Sequence, residues 1–81
     1  MRPHRFEFRF TDHAPQERIT MILVGFDVLG ELTTDGDTYT CTTTRDAKAE
    51  RARDALAYDE EEGVLKWREL PSFSPWLRRR R

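Results

Sequence analysis

Residues 5–10 read Arg-Phe-Glu-Phe-Arg-Phe. Phenylalanine at every second position does not gather on one side of a helix. On a strand, where successive side chains point to opposite faces, Phe6, Phe8 and Phe10 line one side and Arg5, Glu7 and Arg9 the other. Such a strand needs neighbours to pair its backbone and an apolar layer to cover three aromatic rings. The chain has 81 residues, enough for one domain with a single small core.

The covering layer is legible in two stretches. After Thr11-Asp12-His13-Ala14, Pro15 fits a first helical turn, with Asp12 or His13 near the cap and Glu17 at the positive end of the helix dipole. Ile19, Ile22, Leu23 and Phe26 then recur with helical spacing, and Gly25–Asp27 is the expected stop. A strand through Ile19–Phe26 is the competing reading, because Ile and Val favour strands; the Pro start and the length favour helix. The second stretch runs from Thr43 to Glu62. Thr43 with Asp46 has capping-box spacing, with Thr44 as an alternative cap. Alanine fills positions 47, 49, 52, 55 and 57, and Ala49, Ala52 and Leu56 form a thin apolar stripe. Glu50–Arg53 and Arg51–Asp54 can pair on the solvent side.

The pairing strands are equally visible. Val28, Gly30 and Leu32 alternate with polar or outward positions, as do Tyr39, Cys41 and Thr43, and Thr34-Asp35-Gly36-Asp37 between them is a hairpin signal. Gly63 precedes a last alternating run in which Leu65 and Trp67 oppose Lys66 and Arg68, and Pro71 stops it. The order is β-α-β-β-α-β. This is the ferredoxin-like α+β pattern, a four-stranded antiparallel sheet in spatial order 4-1-3-2 with two helices on one face. The expected domain is residues 1–70, followed by a Pro/aromatic and basic segment, 71–81. The expected buried sheet face holds Phe6, Phe8, Phe10, Val28, Leu32, Tyr39, Cys41, Leu65 and Trp67, with Ile19, Ile22, Leu23, Phe26, Ala52 and Leu56 packing down on it.

Several chemistries lack their residues. No apolar run approaches a membrane span and Met1–Phe8 contains no apolar leader, so a cytoplasmic setting is expected. Cys41 is the single cysteine and cannot form an internal disulfide or a CxxC metal site. His4 and His13 bring no further ligands with them, and Asp35 and Asp37 are turn chemistry rather than an ion loop, so no metal and no cofactor are expected. Ser72 and Ser74 lack a nucleophile elbow, the glycines are scattered singly, and the loop after the first strand is too acidic to cradle a phosphate. No catalytic residue is expected.

Charge supplies the remaining signals. Arg78–Arg81 contribute four positive charges, while residues 1–77 carry 10 basic and 15 acidic side chains. Asp59, Glu60, Glu61 and Glu62 form an acidic band suited to a basic partner groove. Phe73 and Trp76, bracketed by Pro71 and Pro75 and followed by Arg78, Arg79, Arg80 and Arg81, have the residue types of a binding hot spot or of a segment folded back on the domain. Together these point to a non-enzymatic protein-binding module. The profile is that of a small phage- or mobile-element-type inhibitor or regulator, anti-CRISPR-like, of a nucleic-acid-handling complex. Two rival readings stand beside it. Arg5, Arg9, Lys66 and Arg68 would give an open sheet face a basic stripe for nucleic acid, diluted by Glu7, Glu31 and Glu69. The same fold also hosts ACT-like small-ligand sensors, which dimerise.

Overall fold

The computed structural model describes residues 2–71. Its elements are β1 (His4–Phe10), α1 (Gln16–Leu29), β2 (Glu31–Asp35), β3 (Thr38–Thr43), α2 (Asp46–Glu61) and β4 (Leu65–Leu70). The strands form one sheet in the order β2-β3-β1-β4, with every neighbouring pair antiparallel. This is the ferredoxin-like arrangement, and the strand order is the expected one. The phenylalanine strand sits in the interior of the sheet, paired on both sides.

Phe6 and Phe8 are fully covered, with Phe26 from α1, Ala49, Ala52 and Leu56 from α2, and Cys41 and Leu65 from the flanking strands. Phe10, Leu32, Tyr39 and Trp67 pack at the margin. The aromatic rings interlock: Phe8 stacks on Tyr39 at 5.6 Å and lies 5.1 Å from Phe26, and Phe10 meets Phe8 edge-on. Small residues on α2 let that helix approach the sheet closely.

Helix α1 departs from the expected bounds at its end. It runs through Gly25 to Leu29, and the residues it packs on the core are Ile22, Leu23, Phe26 and Leu29. A stop at Gly25 would have withdrawn Phe26 and Leu29 from the core; one helical glycine costs only about 1 kcal/mol. Val28, expected in a buried strand, is therefore helical and faces outward, 68% exposed. Chain reversal falls at Gly30. A Cβ there would collide with the Thr42 carbonyl and press on the Cys41 thiol, so the close passage of the chain over β3 requires glycine.

The caps also differ in detail. Pro15 takes the N-cap position of α1, and Arg45 that of α2; neither helix has a side-chain cap. Thr43 instead accepts a bond from the Arg45 N–H at 3.2 Å, closing the turn just before α2. At the far end of α2, Gly63 adopts φ 79°, the Gly63 N–H donates to Glu60 O, and the Val64 N–H donates to Asp59 O. This is a Schellman ending, followed directly by the buried Val64. In the β2–β3 hairpin Asp35 pairs with Thr38, so the loop is Gly36-Asp37, with the positive φ of 68° at Gly36.

Candidate functional site

Among the described residues nothing covers the face of the sheet opposite the helices, and the registers define what stands on it. Three rows cross it from β2 to β4. Glu31, Thr42, Arg5 and Leu70 align in the first, Thr33, Thr40, Glu7 and Arg68 in the second, and Asp35, Thr38, Arg9 and Lys66 in the third. Side chains in one row alternate with core residues along each strand, so the twelve share one surface. The charges are sorted by strand. Glu31 and Asp35 stand on β2, a threonine ladder fills β3, and four cations and Glu7 stand on β1 and β4.

The basic half is more coherent than the sequence suggested. Arg5, Arg9, Lys66 and Arg68 are brought together on adjacent strands. Glu7 accepts from Arg68 Nε at 2.6 Å, so its charge is matched within the row. Glu31 does not dilute the stripe, because β2 lies at the other edge of the sheet. Glu69 lies on the covered side, as the row position of Phe6 requires. There it receives a two-pronged bond from Arg53, at 2.9 and 3.0 Å, and the same guanidinium sits 5.6 Å from the centre of the Phe6 ring. The Arg53 hydrogen bond pulls the Glu69 carboxyl below its ordinary range. Arg53 thus pairs with Glu69 across elements, in place of the expected helical Glu50 pairing. A shallow groove of about 350 Å³ opens on the basic half, lined in part by Glu7, Arg9, Thr38, Lys66 and Arg68. Arg9 and Lys66 also border a second depression, beside Asp12 and Asp37.

The acidic band is divided. Asp59 is buried, continuing the Ala49, Ala52, Leu56 stripe of α2, and is bound by Arg18 Nη2 at 3.0 Å. Burial pushes its carboxyl above the ordinary range, with Arg18 acting against that rise. Glu62 takes the other prong of Arg18 at 3.2 Å. Glu60 and Glu61 are exposed. Half of the band therefore ties α2 to α1. Phe73, Trp76 and Arg78–Arg81 lie outside the described residues.

Cys41 and His4 are both engaged by neighbours within the fold. Cys41 is buried, its thiol directed at the Phe26 carbonyl at 3.5 Å, and burial pushes its pKa up, away from thiolate chemistry. His4 meets Asp46 at 2.8 Å. Among the described residues no three His, Cys, Asp or Glu side chains are placed to hold a metal ion, and no helix is long and apolar enough to cross a membrane.

The sorting of charge on the open face went unseen in the sequence. The hairpin turn fixes which β2 residues oppose β3, and that register was the signal that could have found it. No family model matches the chain, and no significant similarity links it to a curated protein or to a solved structure. The architecture defines its class, a ferredoxin-like α+β domain, and that class hosts many unrelated functions.

Proposed function

We propose that this chain is a non-enzymatic protein-binding module, a small regulator or inhibitor of the phage or mobile-element kind, and that it docks through the open face of its sheet. The observation carrying this reading is the division of that face by sign: Glu31 and Asp35 on one edge, Arg5, Arg9, Lys66 and Arg68 on the other half. A polyanion crossing the sheet would be attracted at one side and repelled at the other. A folded protein can present both signs, and a face with both signs fixes the orientation of its partner. The acidic β2 edge, with Glu60 and Glu61 elsewhere on the surface, matches a basic groove of the sort found in nucleic-acid-handling complexes. The test is capture from a nuclease-treated native lysate with the intact chain and with Glu31→Lys/Asp35→Lys. A defined protein retained by the first and lost by the second supports the reading. Retention by both, or loss on nuclease treatment, overturns it.

A second reading rests on the basic half alone. Arg5, Arg9, Lys66 and Arg68 are close enough to follow a single nucleic-acid backbone running along the strands. Bound RNA or DNA would then weaken steeply with salt, with the slope falling by about one for each phosphate-contacting cation removed. No binding of a single-stranded oligonucleotide at low salt would end that reading.

A further inference from the structure

We infer that the partner the open face fits is a second copy of this chain, placed face to face about a two-fold axis parallel to the strands. This deepens the docking reading above and rests on it. A two-fold axis along the strands, lying between the two open faces over the β3–β1 boundary, sets β2 against β4 and β3 against β1 while keeping each row level. In the Asp35–Lys66 row, Asp35 of each copy then faces Lys66 of the other, and Thr38 faces Arg9. In the middle row Thr33 faces Arg68, and Thr40, a hydroxyl donor, faces the Glu7 carboxylate. In the remaining row Glu31 faces Leu70, diagonal to the other copy's Arg68. No position in the array meets a like charge.

The alternative axis, in the plane of the face but across the strands, does the opposite. It sets Arg5 against Arg9, Glu31 against Asp35, and Glu7 against Glu7. The pattern therefore selects one symmetry and rejects the other. Asp35, Lys66, Arg9, Arg5, Glu31 and Thr33 are all exposed, as this pairing requires, and Thr38, Thr40 and Thr42 on β3 are half-buried. Strand spacing and rise give the face on the order of 500 Å² per copy, below the roughly 800 Å² per partner of a standard stable interface. The pair is accordingly weak, reversible and salt-sensitive. A copy paired in this way has no open face to offer, so self-pairing and capture of another partner exclude each other.

Sedimentation of the full chain over a rising concentration series, at low and high salt, reads the self-association directly. Asp35→Lys alone and Lys66→Asp alone should each weaken it about tenfold or more, since both copies then carry like charges in that row. An equimolar mixture of the two variants should restore it, because every Asp35–Lys66 contact between the two chains again joins opposite signs. The double variant on one chain should restore it as well. A wild-type chain that stays monomeric throughout the series overturns the proposal, as does association that either single variant leaves unchanged, or a mixture no stronger than its components. Monomeric behaviour together with a nuclease-resistant partner lost on Glu31→Lys/Asp35→Lys would sink self-pairing while leaving the docking reading standing.

Discussion

Alternate residues of β1 meet two different environments. Phe6 and Phe8 point into a layer of interlocked rings beneath two helices; Arg5, Glu7 and Arg9 point from the same backbone into solvent. The covered side carries shape information, because each ring has fixed neighbours, and a lost methylene there leaves a void. The open side carries sign information, because its side chains are free to reorient but their strand addresses are fixed. Ion pairs divide the same way. Arg53–Glu69 and Arg18–Asp59 draw a helix toward what it packs against, whereas Glu7–Arg68 joins neighbouring strands in the open.

The largest effect should come from the covered side. Phe8→Ala removes a ring that contacts three other aromatics and should cost about 3–5 kcal/mol in denaturant unfolding. A loss under about 1 kcal/mol would mean that the rings are not packed as described. Gly30→Ala comes next. Its added methyl meets the Thr42 backbone and should cost about 1–3 kcal/mol through overpacking, with Gly25→Ala, where the added carbon meets open space, as the neutral or stabilising control. Arg53→Ala should then cost about 1 kcal/mol, from the loss of a two-pronged pair and a ring contact at a half-exposed site. On the open side, Thr40→Ala should change stability by less than about 0.5 kcal/mol, even where it alters binding.

The carboxylates on the helix side can be separated by pH. Glu69 has its folded pKa lowered, so its pairing contributes stability above the ordinary glutamate range and loses it as pH falls through the folded value. Asp59 has its folded pKa raised by burial, so the folded state binds a proton more readily than the unfolded chain, and this group's contribution becomes more favourable as pH falls through the raised value toward the ordinary aspartate range. Stability-versus-pH curves of Glu69→Gln and Asp59→Asn, each subtracted from wild type, should therefore slope in opposite directions. Parallel slopes would show that the two carboxylates share one environment.

How much of this could be read from residues follows from what each signal encodes. The alternation at Arg5–Phe10, the Asp-Gly-Asp turn and the alanine-rich run each carry their own periodicity, so element order and strand order were accessible. The end of α1 was misplaced because Gly25 is a weak breaker, and tertiary burial of Phe26 and Leu29 overrode it. The run of acids groups Asp59 with a partner-facing band, although its spacing from Ala49, Ala52 and Leu56 puts it on the inner stripe of α2. Glu69 was assigned to the wrong face although Trp67, two residues earlier, fixes its side. Arg18 gave no signal at all: its role depends on how two helices meet, which no local pattern specifies.

The position of β1 has a kinetic consequence. It pairs with β3 on one side and β4 on the other, and Arg5 finds its partners at Thr42 and Leu70. Within this domain the strand made first thus has no neighbour until β3 has been made, and β4 completes its pairing. Such distant pairings require loop closure before they repay it, which slows folding relative to a helical bundle of the same length. During that interval the Phe6, Phe8 and Phe10 rings lack their flanking strands and α2, and the arginines and glutamate between them guard locally against premature aggregation.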